Sequence, residues 1–131
     1  MSHKILVIED DYDMLAFLGV LLHEAGFEVL QATSAEQGLK LAQKDMPDLV
    51  LLDIMMPEMD GWEACRRLRA VGDMPIVFVT ALRDAKNRDK GLVIGDDYIV
   101  KPFDPRELLN RVRDHIARWV SQKAAEERPV Q

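Results

Sequence analysis

Four short apolar runs in this chain are each followed at once by a charged or hydroxyl-bearing side chain. The runs cover residues 5–8, 49–52, 76–79 and 98–100, and the residues that follow them are Glu9 with Asp10, Asp53, Thr80 and Lys101. The runs are apolar throughout, as in parallel strands covered on both faces. The carboxyl ends of parallel strands share one sheet edge, where open α/β folds bind their ligands. The pattern therefore predicts that these side chains form one site.

Helical segments alternate with these runs, which indicates a parallel sheet with helices on both faces. A more polar strand is predicted at residues 27–32, and the helix after it starts at Thr33 or Ser34 and runs to about residue 45. The other helices are predicted at residues 13–25, 62–70, 84–94 and 105–120. We expect one domain over residues 1–120, followed by a frayed polar tail or linker stump at 121–131.

Composition limits the class of protein. The chain has 131 residues, a formal net charge of −6 and one cysteine, Cys65. The negative charge opposes direct binding to nucleic acid. No apolar stretch approaches the roughly 20 residues of a membrane span, and the first strand follows Met1–Lys4 too closely for a signal peptide. Because Cys65 has no partner for an internal disulfide and shares a helix face with Leu68, we expect a packed thiol and a cytoplasmic location.

The three predicted acids at the sheet edge, Glu9, Asp10 and Asp53, require a cation. Two carboxylates about 4 Å apart repel by roughly 4 kcal/mol at an effective dielectric constant near 20. Hard oxygen ligands favour Mg²⁺, and Lys101 supplies a fixed positive charge. A carboxylate in such a site can attack phosphorus and form an aspartyl phosphate. The sequence therefore predicts phosphoryl chemistry with a divalent metal.

These residues resemble the receiver domains of two-component response regulators. The motifs that carry the resemblance are residues 5–11, 53–61, 79–81 and 96–103, and the resemblance extends over about residues 4–119. It implies a doubly wound, flavodoxin-like α/β fold with a five-stranded parallel sheet of order 2-1-3-4-5 and five helices. It also implies a signalling switch, rather than an enzyme with a separate substrate, that takes its phosphoryl group from a sensor histidine kinase.

The resemblance assigns metal and acceptor roles to four residues. It makes Asp53 the phospho-acceptor and a ligand of Mg²⁺ (or Mn²⁺). Asp10 would bind the metal directly, Glu9 would bind it through water, and the backbone carbonyl of Met55 would be a further ligand.

It assigns switching roles to residues of the last two strands. Thr80 would bind a phosphoryl oxygen, Lys101 would pair with the phosphoryl group, and the small Ala81 would leave it accessible. Tyr98 would turn inward as Thr80 moves; the alternative that the sequence leaves open is an ordinary half-buried aromatic of a strand. The bond between Lys101 and Pro102 is expected to be cis.

The last helix most resembles the class of receivers that carries a winged-helix DNA-binding domain. Receivers of that class form homodimers through the face of helix 4, strand 5 and helix 5 when phosphorylated. By that resemblance, Asp97 with Arg111 and Arg88 with Glu107 bridge two subunits. The alternative is an ordinary solvated surface, and the sequence leaves both open.

One residue of the family pattern is missing between Gly95 and Asp96. We expect phosphorylation to survive and the connection after helix 4 to be reshaped. The alternative function is therefore a receiver-like interaction module that takes no phosphate. A flavodoxin-like cofactor binder would need a phosphate-binding loop after the first strand, and this chain has acids there. A dehalogenase-type phosphatase would need a second aspartate two residues after Asp53, where this chain has Met55. Whether the regulator stands alone or is cut from a longer protein stays open.

Overall fold

The predicted strands form one parallel sheet in the order β2-β1-β3-β4-β5, so the predicted fold class is confirmed. The computed structural model describes residues 2–127. In chain order the elements are β1 (Lys4–Ile8), α1 (Tyr12–Glu24), β2 (Glu28–Ala32), α2 (Ala35–Asp45), β3 (Leu49–Leu52), α3 (Gly61–Val71), β4 (Ile76–Thr80), α4 (Ala85–Ile94), β5 (Asp97–Val100) and α5 (Pro105–Glu126). The strand order reverses between β1 and β3, which is where such folds place a ligand.

Side chains of each strand point alternately into two apolar layers. One layer joins the sheet to α1 and α5, and it includes Leu18 and Val112. The other joins the sheet to α2, α3 and α4, and it includes Cys65 and Phe78. Both faces of the central strands are therefore covered, which explains their unbroken apolar runs. Burial raises the pKa of the Cys65 thiol, as expected of a packed cysteine.

Each helix begins at a residue whose side chain accepts a backbone N–H of the first turn. These N-caps are Asp11, Ser34, Asp60, Asp84 and Asp104. Such caps satisfy donors that the helix itself leaves unpaired. Of the two N-caps considered for α2, the structure uses Ser34. Among the described helices, none combines the length and apolar character that crossing a membrane requires.

Helix α5 continues to Glu126, so the predicted end near residue 120 is wrong. The expected fraying is also wrong for residues 121–126, whereas residues 128–131 lie outside the described part. The extra turns are held by side chains: Lys123 lies 4.4 Å from the centroid of the Trp119 ring, and its Nζ lies 3.3 Å from Asp73 Oδ1. The proposed division at residue 120 thus falls inside a helix.

Candidate functional site

Three carboxylates meet at the carboxyl edge of the sheet. Oxygens of Glu9, Asp10 and Asp53 lie within 4.8 Å of one another. Glu9 follows β1 and Asp53 follows β3, and the two strands are paired in parallel. The Asp53 backbone N–H also donates to Ile8 O at 3.1 Å, which fixes the start of the loop. The structure therefore brings together the acids that the sequence indicated, and their hard oxygens suit Mg²⁺.

Lys101 extends from the end of β5 into this cluster. Its Nζ donates to Asp53 Oδ2 at 3.0 Å and also to Glu9 Oε1. Burial acts to lower the pKa of Lys101, but the hydrogen bonds to Glu9 and Asp53 outweigh it and the pKa is raised. The ammonium charge is thus maintained at neutral pH. The peptide bond between Lys101 and Pro102 is cis, as expected.

Glu9 is the most enclosed of the three acids, with 2% of its surface exposed. Burial raises the pKa of Glu9 to about 7, the hydrogen bond from Lys101 opposes this, and the charge of Asp53 adds to it. Its second oxygen accepts the Asp11 backbone N–H at 3.2 Å. Glu9 is therefore held by Lys101 and by the N-cap residue of α1, beside the more accessible Asp10.

The remaining residues expected at the site lie at or just after the carboxyl ends of β3 and β4. The Met55 backbone N–H donates to Asp53 Oδ1 at 3.1 Å. Thr80 ends β4 with no exposed surface, and Ala81, directly after it, is exposed. Thr80 therefore supplies a hydroxyl at the carboxyl edge of the sheet, and the residue after it is accessible to solvent.

Leu82 joins Thr80 to Tyr98 through its backbone, a link that sequence patterns could not reveal. The Leu82 N–H donates to Thr80 Oγ1 at 3.3 Å, and the Tyr98 hydroxyl donates to Leu82 O at 2.6 Å. Tyr98 is only 4% exposed, so its ring is buried rather than half-buried. One residue thus contacts both groups expected to switch.

Three of the residues expected to bridge two subunits, Asp97, Glu107 and Arg111, are paired within the chain. Arg111 lies 3.1 Å from Asp97 Oδ1 and 2.7 Å from Glu107 Oε1, and Arg88 is exposed on α4. His115, which the sequence reasoning missed, lies 3.0 Å from Asp97 Oδ2. Burial alone would raise the pKa of Asp97, but its bonds to His115 and to the Tyr98 N–H, with the charge of Arg111, hold it below its usual range.

The shortened connection between α4 and β5 is closed by hydrogen bonds. Asp96 Oδ2 accepts the Ile76 N–H at 2.8 Å and Arg69 Nη2 at 2.7 Å. Arg69 also donates to Met74 O at 2.8 Å, and Gly95 ends α4 by donating to Gly91 O at 2.8 Å. These bonds hold the connection from α4 to β5, where the sequence predicts one residue fewer than the family pattern, and β5 pairs in parallel with β4 from Asp97 to Val100.

Comparison with known proteins finds one family model along this chain. The family is described as "Response regulator receiver domain", and it matches residues 5–113. Among curated proteins, the chain is 44% identical over 118 residues to the "Probable transcriptional regulator ycf27" of Porphyridium aerugineum, covering 89% of this chain and 49% of that protein. A protein of the same name from Cyanophora paradoxa is 44% identical over 116 residues, covering 88% and 48%. The chain spans about half the length of these relatives.

Solved structures with the same architecture carry similar descriptions. One is a CheY-like receiver domain protein from Methanospirillum hungatei, with a TM-score of 0.88 and 29% identity over 93% of this chain and 99% of that one. Another is the BeF3-activated N-terminal receiver domain of Klebsiella pneumoniae RstA, with a TM-score of 0.82 and 35% identity over 86% and 97%.

Proposed function

Because the chain belongs to the response regulator receiver domain family, we propose that it is a phosphorylation-activated switch whose Asp53 accepts a phosphoryl group from a sensor histidine kinase. The observation that carries the proposal is the setting of the Asp53 carboxylate. One oxygen accepts a hydrogen bond from the Met55 N–H, the other accepts one from Lys101 Nζ, and the Asp10 carboxylate lies beside them. The proposed nucleophile thus has a fixed cation and a second acid beside it, and we propose that the small, exposed Ala81 leaves the phosphoryl group accessible.

In the proposed transfer, a carboxylate oxygen of Asp53 attacks the phosphorus of a phosphohistidine. The new O–P bond forms as the P–N bond breaks, and the electron pair of the P–N bond goes to the imidazole nitrogen of the donor. Lys101 then pairs with the negative oxygens of the phosphoryl group, and the Thr80 hydroxyl donates a hydrogen bond to one of them.

Residues of this site fit a hard divalent cation because the donors are carboxylate oxygens. We propose Asp10, Asp53 and the Met55 backbone carbonyl as direct ligands and Glu9 as a ligand through water. Mg²⁺, or Mn²⁺, would neutralise charge on the transferring oxygens. Binding of the metal near Glu9 would also compete with the present hydrogen bond from Lys101, which frees the ammonium for the phosphoryl group.

The signal then passes to the face formed by α4, β5 and α5. Leu82 supports this route because it contacts both Thr80 and Tyr98. We propose a phosphorylation-dependent homodimer through this face, in which Asp97 and Arg111 exchange their internal pair for contacts between subunits. Exposed ion pairs contribute about 0–1 kcal/mol each, so they would select the partner more than drive association.

The curated relatives are named as probable transcriptional regulators, and this supports our proposal that the chain has a role in transcription regulation. We also propose that it acts in the cytoplasm. The proposal includes no direct contact of this receiver with DNA, because its net charge is −6. The alternative of a module that takes no phosphoryl group is favoured only by the shortened connection after α4.

The test is incubation with Mg²⁺ and acetyl phosphate, followed by mass spectrometry of the intact protein and of its peptides. We expect one phosphoryl group on Asp53, none on Asp53→Asn, and wild-type labelling of Asp114→Asn, an exposed aspartate of α5. Light scattering on the same samples tests dimerisation. Absence of both modification and Mg²⁺ binding would favour the interaction module.

A further inference from the structure

Helix α4 lies against the ring of Tyr98 at a glycine. Gly91 is buried on the inner side of α4. A Cβ atom at this position would lie 2.9 Å from Tyr98 Cε2, closer still to Tyr98 Cδ2, and 3.4 Å from Phe78 Cδ2. Separations under 3.0 Å are essentially never seen for real Cβ atoms. With any other residue at position 91, either the ring or the helix must move.

A glycine inside a helix has a cost that calls for an explanation. Glycine is among the least favourable residues in a helix interior, and alanine is the most favourable. The contact with Tyr98 supplies the reason, because the ring occupies the space of the missing side chain. Gly95 repeats the pattern at the end of α4, where a Cβ would lie 2.6 Å from Phe78 Cε2. The helix is therefore seated directly on two aromatic rings.

The Tyr98 ring is also connected, through its hydroxyl, to the carboxyl edge of the sheet. Its hydroxyl donates to Leu82 O, and the Leu82 N–H donates to Thr80 Oγ1. On the outer side of α4, Val93 is 85% exposed and Leu92 is also exposed. Tyr98 thus lies between the residue that would bind the phosphoryl group and a helix with an exposed apolar surface.

We propose that Gly91 is the positioning residue that admits the Tyr98 ring to its buried place, so that α4 and the ring move together as one link from Thr80 to the outer surface of α4. The proposal rests on the proposed function for its signalling part. It implies that a methyl group at position 91 leaves phosphorylation of Asp53 intact but abolishes the response of α4 to it. The ring leaves its seat and loses Leu82 O, whereas Asp53, Lys101 and the acids keep their contacts.

The first test compares Gly91→Ala with Asp89→Ala, an exposed position of the same helix. The chain has two tyrosines, and Tyr12 is 74% exposed, so it serves as an internal reference for nitration. We expect rapid nitration of Tyr12 in every protein, and rapid nitration of Tyr98 only in Gly91→Ala. Nitration of Tyr98 at the slow wild-type rate in Gly91→Ala would overturn the proposal.

The second test is a stability cycle that identifies the ring as the obstacle. In the presence of Tyr98, we expect Gly91→Ala to shift the folding equilibrium toward the unfolded state. In a Tyr98→Ala background the obstacle is absent, and the same change should favour the folded state by about fivefold through helix propensity. A loss of stability in both backgrounds would assign the clash to Phe78 or to the backbone and overturn the proposal.

The third test measures signalling by amide hydrogen exchange of α4 peptides, with and without beryllofluoride and Mg²⁺. We expect the exchange of α4 to change on binding in wild type and in Asp89→Ala, and to stay unchanged in Gly91→Ala although Asp53 is still modified by acetyl phosphate. The same response in Gly91→Ala as in wild type would refute the link. If the wild type takes no phosphoryl group, the proposed function fails, while nitration and the stability cycle still decide whether Gly91 seats the ring.

Discussion

Lys101 Nζ lies 3.0 Å from Asp53 Oδ2, although β4 separates the strands that these residues follow. The contact is possible because both residues stand at the carboxyl edge and the lysine side chain is long enough to pass the end of β4. The same ammonium binds Glu9, so one cation compensates two acids. This pairing holds together the residues that follow β1, β3 and β5.

Removing the ammonium should destabilise the protein in the absence of divalent metal. Breaking a buried ion pair by removing one partner costs about 3–5 kcal/mol, so we expect Lys101→Met to lower the free energy of unfolding by about 3 kcal/mol. Mg²⁺ should restore part of the loss, because it replaces the missing positive charge. Urea unfolding with and without Mg²⁺ measures both effects. Lys40→Met, at an exposed pair on α2, is the matched control, and equal effects of the two substitutions would contradict this account.

Neutralising Asp53 should leave the fold intact. Asp53→Asn removes one of three clustered charges, and the amide oxygen still accepts a hydrogen bond from Lys101. We therefore expect an unfolding free energy equal to that of the wild type or slightly higher at neutral pH without Mg²⁺. Thermal unfolding followed by circular dichroism measures it. A clear drop in melting temperature would show that the acids do not repel one another as the structure implies.

Arg69 should be required for the short connection between α4 and β5. Its guanidinium binds Asp96 and Met74 O, so truncation leaves a carboxylate and a carbonyl with fewer donors. Hydrogen bonds to charged groups contribute about 1.5–3 kcal/mol, and we expect Arg69→Ala to cost about 2 kcal/mol. Arg66→Ala on the same helix loses only an exposed pair with Glu63 and should cost at most about 1 kcal/mol. Urea midpoints that rank the two variants in the opposite order would contradict this role.

Asp97 should make stability depend on pH in the acidic range. Its folded pKa lies below the ordinary value of 3.8, so the unfolded state binds protons more readily. The contribution is therefore fully present above that value and is lost as the pH falls through the lower, folded pKa. We expect Asp97→Asn to be less stable than the wild type at pH 7 and the difference to shrink below pH 3.8. Urea unfolding across this range tests it, and a difference that stays constant at every pH would count against the internal pairing.

The strands and the acid cluster could be predicted from sequence because both signals are local. An apolar run identifies a buried strand, and the residue after it takes a position at the sheet edge by topology alone. The end of α5 could not be predicted, because Lys123 contacts Asp73 across 50 positions of the chain. The bond between Arg69 and Asp96 spans 27 positions, and it too depends on the packed fold.

On the face of α4, β5 and α5, the sequence identified the residues but not their partners. Motif resemblance identified Asp97 and Arg111 and assigned them to contacts between subunits. In the described chain they contact each other, because α5 places Arg111 and His115 beside the same Asp97 carboxylate. Residue types alone do not distinguish a pair within one chain from a pair between two.

We propose that Asp53 takes a phosphoryl group in a site completed by a divalent metal and Lys101. The most direct measurement is the mass of peptides containing Asp53 after incubation with acetyl phosphate, with Mg²⁺ and with excess chelator. We expect a metal-dependent phosphoryl group on Asp53, none in Asp53→Asn, and a strongly slowed reaction in Lys101→Met. Unmodified Asp53 in the presence of Mg²⁺, or equal labelling with and without metal, would contradict it.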